Sequence, residues 1–261
     1  MRTSTFLAVL AISVAAAATA QAAPPTATAR PATPPPAAHY ASAGVPGHPD
    51  SIHDPIHEPF IRLGFEYTPL DGGNVGKGFT SAPDYSDAFD SGLGLTLQGG
   101  YRWGRFAPFL GFDYGLYRGQ TISNAAFGDW YRYDFYAGLR IHLFEGAWTP
   151  FGPEADAGAL DPYASLRAGA SYSDSVDVSA VPPGSSTTVL STSYWKSGWL
   201  FNAGVSIGLE YRFPGGLPLS AFLEGGFRWL TGPEASDPFT SDFDGEDAFT
   251  FPIAVGLAFH W

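Results

Sequence analysis

The stretch Ala248 to Trp261 constrains this chain more than any other. Phe249, Phe251, Ile253, Val255, Leu257, Phe259 and Trp261 alternate with Thr250, Pro252, Ala254, Gly256, Ala258 and His260. A period of two belongs to a β-strand, whose successive side chains point to opposite faces. One face here is wholly apolar, and the other is small and polar. A strand with hydrocarbon on one side and a narrow polar lumen on the other requires this pattern.

The pattern recurs upstream and predicts seven more strands. The first lies near Ile61–Tyr67, the second near Ser91–Trp103 and the third near Phe106–Tyr117. The fourth lies near Asp129–Phe144 and the fifth near Asp161–Ser173. The sixth and seventh lie near Trp195–Phe213 and Leu217–Leu230. Tight turns, Gly104-Arg105 and Pro214-Gly215-Gly216, join the second strand to the third and the sixth to the seventh. Long polar connections alternate with them: residues 70–90, 118–128, 174–194 and 231–247. An antiparallel membrane barrel has short turns at one end and long loops at the other. Residues 145–160 break the alternation, being long where a short turn is expected.

Composition agrees. The chain is 16% aromatic and only 15% charged, with 32 Gly and no Cys, which excludes a disulfide framework or a thiolate site. Beyond the N-terminus there is no apolar run of about eighteen residues, so no spanning helix is expected. A formal charge of −12 argues against nucleic acid as a partner.

Residues 1–22 read as a secretory signal: Arg2 supplies the charge, Phe6–Ala18 the apolar core and Ala20-Gln21-Ala22 the cleavage site. Residues 23–58 read as a Pro/Ala-rich periplasmic linker, with the barrel occupying 59–261. Within the linker, His48, Asp50, His53, Asp54, His57 and Glu58 offer ligands to a borderline divalent ion, but Pro49 and Pro55 deny them a helical scaffold. A polar spacer is the expected reading, and no cofactor is expected.

In every strand the face opposite the apolar one carries charge. An ordinary core would strand those charges unpaired, at a cost of several kcal/mol each. A lumen lets them pair. The expected network joins Glu66, Asp113, Arg132, Asp134, Arg167, Glu224 and Arg228. A more basic ring is expected near the turn end, from Arg62, Arg102, Arg140 and Arg212, tempered by Glu210. Aromatic girdles are expected at both interfaces. Trp103, Phe106, Tyr211, Phe213, Phe259 and Trp261 would form the turn-end girdle; Tyr67, Tyr131, Tyr172, Trp199, Trp229 and Phe249 the loop-end one.

On these strands and the ending Phe259-His260-Trp261, the chain resembles the small outer-membrane β-barrel family with OmpA-, OmpX- and OmpW-type members. The resemblance implies an all-β, eight-stranded antiparallel transmembrane barrel. It also implies that Phe259 and Trp261 form the signal read by the barrel assembly machinery. The resemblance does not extend to the peptidoglycan-binding domain of full-length OmpA-type proteins, which is not expected here.

Three functions fit, all in the outer membrane. The first is a structural and interactive monomer among lipid and lipopolysaccharide, displaying acidic loops to a surface ligand. The second is a small-solute channel or uptake porin, and the third a lipid-modifying enzyme. Asp71, Asp84, Asp87 and Asp90 make the first loop acidic. Asp242-Phe243-Asp244-Gly245-Glu246-Asp247 in the last resembles a calcium loop without its full spacing. No external loop holds a His to serve as a base, and no activated Ser is evident, so catalysis is not expected.

Deleting Trp261 is expected to lower the amount of barrel assembled in cells more than the stability of barrel already folded in detergent. Normal insertion of the truncated chain would count against the assembly role.

Overall fold

A computed structural model of the chain describes residues 56–76, 83–122, 124–144, 158–180, 190–237 and 244–261. The expected signal and nearly all of the linker, including His48–Pro55, lie outside them, as does most of the long connection at 145–160.

The elements in chain order are β1 (His57–Thr68), β2 (Leu70–Gly72), α1 (Tyr85–Ala88), β3 (Gly92–Trp103) and β4 (Phe106–Tyr117). Then come β5 (Thr121–Ile122), β6 (Ala125–Phe127), β7 (Trp130–His142), β8 (Ala159–Ser173) and β9 (Val176–Ala180). The chain continues with β10 (Leu190–Trp195), β11 (Gly198–Arg212), β12 (Leu219–Leu230), β13 (Ala248–Thr250) and β14 (Ile253–His260). The long strands run β11-β8-β7-β4-β3-β1-β14-β12, and β12 pairs back with β11. The result is a closed eight-stranded antiparallel barrel. Closure leaves no free edge, so the backbone polar groups of the wall find partners within it.

β1 and β14 form the closing seam, with Ile61 opposite Phe259 and Tyr67 opposite Ile253. The final strand departs from the unbroken run expected of it. Pro252 lacks a donor and splits the strand into β13 and β14, just as Pro69 separates β1 from β2. Pairing stays in phase across the gap. Phe249 faces Asp71 in β13–β2, and the Phe251 amide donates to the Pro69 carbonyl at 3.0 Å.

The barrel also starts earlier than the expected boundary at Pro59. His57 pairs with Trp103 and Glu58 with Arg102, so both belong to β1. Pro59 is tolerated within this strand because its carbonyl still accepts, from the Trp261 amide at 3.3 Å.

The hairpins at the turn end rely on glycines at positive φ: Gly104 at 59° after β3, Gly215 at 81° and Gly216 at 68° after β11. Inside the barrel, Gly208 makes room for a ring, since a Cβ there would come within 2.3 Å of Tyr163.

The wall is inside-out. Leu110 is 70% exposed, Phe65 72% and Ile207 74%, whereas Arg62, Arg102, Arg132 and Arg140 are at most 2% exposed. Leucine, isoleucine and phenylalanine outside and arginine inside is the architecture of an outer-membrane-type barrel. Ring pairs stand at both margins of the apolar belt. Phe259 stacks on Trp261 at 5.6 Å, and Tyr172 packs edge-on to Trp199 at 5.4 Å.

The loops differ most from expectation. They are not simply polar. Val75, Tyr85, Phe89, Val176, Tyr194 and Trp195 from the connections pack with Tyr117 and Trp130 from the strand ends into a buried cluster. Tyr85 stacks on Trp130 at 5.9 Å and Phe89 on Trp195 at 5.8 Å. A small sheet, β10-β9-β6-β5, lies alongside. These apolar residues are irregularly spaced in the sequence, so no periodicity announces them.

Leu110 lies near the middle of β4. Leu110→Arg is expected to destabilise the barrel in a bilayer by about 2–4 kcal/mol, read from urea unfolding in liposomes. A loss under about 1 kcal/mol would mean that this face does not meet hydrocarbon.

Candidate functional site: the ionic lumen

The lumen is built where polar positions of all eight wall strands converge. Its side chains sort into three levels.

Nearest the loops is a level of three arginines and three carboxylates. Arg228 on β12 clasps Glu66 on β1 with both terminal nitrogens, Nη1 at 2.7 Å, and its Nη2 lies 3.1 Å from Asp113 on β4. Arg167 on β8 donates to Asp113 at 2.7 Å. Arg132 holds Asp134, its neighbour on β7, with Nε at 2.9 Å and Nη2 at 3.1 Å. Charges balance here, and paired forks of this kind are geometrically specific. The guanidinium of Arg167 lies 4.1 Å from the centre of the Tyr136 ring.

At the middle level, Arg62 donates to Tyr163 at 2.5 Å and to Glu224 at 3.3 Å. Tyr163 and Ser206 also donate to Glu224, at 2.8 and 2.7 Å. Arg140 gives Nη2 to the Gln98 oxygen at 2.7 Å and sits among the rings of Phe60, Phe109 and Tyr163. Gln98 then donates to the Tyr136 hydroxyl at 3.2 Å, and Tyr136 to Asp113 at 2.8 Å. That relay joins the middle level to the one above.

The turn-end rim is the third level. Arg102 and His142 both engage Asp161, His142 through Nδ1 at 2.9 Å. Arg212 pairs with Glu58. His260 sets Nδ1 3.1 Å from Glu58 and Nε2 2.9 Å from Glu210. Ser220 lies 3.0 Å from that Nε2 and donates to Glu210 at 2.8 Å. A serine, a histidine and a carboxylate thus stand in line. However, Ser220 is 0% exposed and its proton is committed to Glu210, so no substrate can reach it. The imidazole bridges two carboxylates rather than activating a nucleophile.

The structure brings Arg62, Glu66, Arg102, Asp113, Arg132, Asp134, Arg140, Arg167, Glu210, Arg212, Glu224 and Arg228 all into the lumen. The turn-end arginines do not form a basic ring. Arg62 faces Glu224, Arg102 faces Asp161 and Arg212 faces Glu58, so three of the four have a carboxylate partner, while Arg140 bonds to Gln98 instead. Sequence reasoning misses Asp161 and Tyr163, although they lie in phase with Ser165 and Arg167. It also places Glu58 in the linker rather than on the rim.

One void in the lumen measures about 20 Å³ and is lined by Glu66, Gln98, Arg167, Glu224 and Arg228, among others. Such a space has room for about one water.

At the loop end, carboxylates brace the chain. Glu246 accepts from the Asn74 amide at 2.8 Å, Asp244 from the Ala235 amide at 2.7 Å and Asp247 from Trp229 Nε1 at 2.9 Å. Among the described residues no group of three or more His, Asp or Glu is arranged to hold a metal ion. Asp242 and Phe243 of the calcium-loop resemblance lie outside them. Tyr85 donates to the Glu246 carbonyl at 2.8 Å, and burial pushes its phenol well above the usual tyrosine range.

Arg228→Ala is expected to cost about 3–5 kcal/mol, because it leaves buried carboxylates uncompensated. Pairing Arg228→Met with Glu66→Gln removes one charge of each sign and is expected to cost less than the single change. Urea unfolding of the three proteins checks this. Equal losses would mean that the pair is not buried as a unit.

No known protein family and no curated protein matches the sequence. Among solved structures, the chain is similar to Neisserial surface protein A, with 13% identity over 78% of this chain and 97% of that one, at a TM-score of 0.42. It is similar to Ail, the attachment invasion locus protein of Yersinia pestis, with 13% identity over 78% and 99% and a TM-score of 0.38. It is also similar to the outer membrane protein OprG of Pseudomonas aeruginosa, with 13% identity over 78% and 96% and a TM-score of 0.42.

Proposed function

We propose that this chain is a non-conducting outer-membrane barrel whose work is done at its surface. Its stable wall carries a compact acidic cap outside the cell. The observation that carries this reading is the double closure of the lumen. A neutral level of three arginines and three carboxylates fills the bore, and the aromatic cluster around Trp130 and Trp195 lies over it. Eight strands enclose an interior that side chains fill, which supports a plug over a pore.

The cap suits a surface role. The described parts of its connections pack on a buried core, which lowers the entropic cost of binding there. Asp84, Asp87, Asp90, Glu234, Asp237 and Asp247 are exposed on it, and Lys196 is neutralised by Glu234. The partners on this reading are membrane lipid and lipopolysaccharide around the belt and a cationic surface ligand on the cap. Phe259 and Trp261 address the assembly machinery, and the chain works as a monomer.

Refolded barrel in a planar bilayer is expected to give no single-channel steps. Trp195→Ala combined with Arg167→Ala loosens both barriers and is expected to produce them. Sustained conductance from the unaltered protein would overturn the proposal in favour of a small-solute channel.

A further inference from the structure

The turn end of the barrel is built differently from the loop end. Among the described residues it holds no buried aromatic cluster of that kind but a pocket of about 380 Å³, beneath the β11–β12 hairpin and beside the end of β14. That volume lies in the range of small-molecule sites. The pocket lies where the ionic rim of the lumen meets the edge of the apolar belt. One side of its lining is charged, with Glu58, Arg212 and His260; the other is apolar, with Phe213, Leu217 and Trp261.

The two sides call for different parts of one ligand. Arg212 gives Nη2 to Glu58, and its Nε is buried away from the pocket. Its other terminal nitrogen, Nη1, is left as a donor to one oxygen of an anion such as a phosphate. The apolar side faces outward: Leu217 is 59% exposed and Trp261 53%. Trp261 stacks on Phe259, which is itself part of the lipid-facing surface. A soluble phosphate would leave that apolar surface unused, and a plain hydrocarbon would leave the remaining Arg212 donor unused. An amphiphile with an anionic head satisfies both. The other large grooves, along β8, β11 and β12, are lined almost wholly by apolar groups on the outer face. They can hold acyl chains, but they have no comparable charged rim to fix a head.

We propose that this pocket is a phospholipid site of the periplasmic leaflet, with the headgroup phosphate on Arg212 and the chains leaving past Leu217 and Trp261. It would tie the closing seam of the barrel, where β1 and β14 meet, to the membrane surface. A Cβ placed on Gly215 or Gly216 would meet nothing within 4 Å, so the hairpin leaves the mouth open to such a head.

The test is native mass spectrometry of the refolded full chain released from phospholipid nanodiscs. One retained phospholipid is expected for the unaltered protein. Arg212→Gln is expected to lower its occupancy by about tenfold, the worth of one charge-assisted hydrogen bond. Leu217→Asn, on the opposite side of the pocket, is expected to lower it as well, and Lys196→Gln at the loop end to leave it unchanged. Unheated gel mobility confirms that each variant is folded. Three results would overturn the proposal: no lipid retained by the unaltered protein, retention that Arg212→Gln does not reduce, or displacement of the lipid by millimolar glycerol phosphate. The last would assign the pocket to a soluble phosphate instead. Planar-bilayer conductance is a separate measurement, so a pore and an empty lipid pocket are distinguishable outcomes.

Discussion

Hydrocarbon offers a peptide group nothing to hydrogen-bond, so a strand that faces lipid must be paired on both edges. Here that constraint is met where β1 pairs with β14, the first wall strand with the last. Once the seam closes, each strand has one face in lipid and one in the bore. The pairing is robust enough to tolerate Pro69 and Pro252 side by side at its loop end. The Pro69 carbonyl still accepts from Phe251 and the Pro252 carbonyl from Gly226, so the ladder skips donors without losing register.

Closure also fixes how the bore must be filled. Long arginines reach across it, and most of their charge is met by carboxylates, from other strands for Arg62, Arg167 and Arg228 and from its own strand for Arg132. Aromatic rings occupy the gaps. Arg62 lies 3.7 Å from the centre of the Phe222 ring, and Arg140 is enclosed by three rings. Glycine at position 208 gives Tyr163 its space, and Tyr163 in turn links Arg62 to Glu224. Packing and electrostatics are therefore not separable at Tyr163: removing that ring also removes a hydrogen-bond partner of Arg62 and Glu224.

The two ends have diverged. At the loop end, connections that read as acidic and polar carry enough scattered aromatic residues to build a second small core, while their carboxylates tie backbone amides together. At the turn end, the connections after β3 and β11 are too short to cover anything, and the ionic rim stays near an open pocket.

The alternation of large apolar and small or charged residues determined, without any structure, the strand number, the all-β class and which side chains face the bore. Face is a local property: with a period of two, knowing one residue of a strand assigns all the others. Lumenal positions such as Asp113, Arg167 and Arg228 were legible for that reason. Partnership is not local. Arg212 meets Glu58 from 154 positions away, and Arg228 meets Glu66 from 162. Which charge meets which depends on the stagger of strands around the closed barrel, and no single strand carries that information. For the same reason the expected basic ring dissolved into separate pairs once Asp161 and Glu58 came opposite Arg102 and Arg212. The buried cap was illegible for a different reason. Val75, Tyr85, Phe89 and Trp195 follow no period, and only the folding of two separate connections over one barrel mouth brings them together.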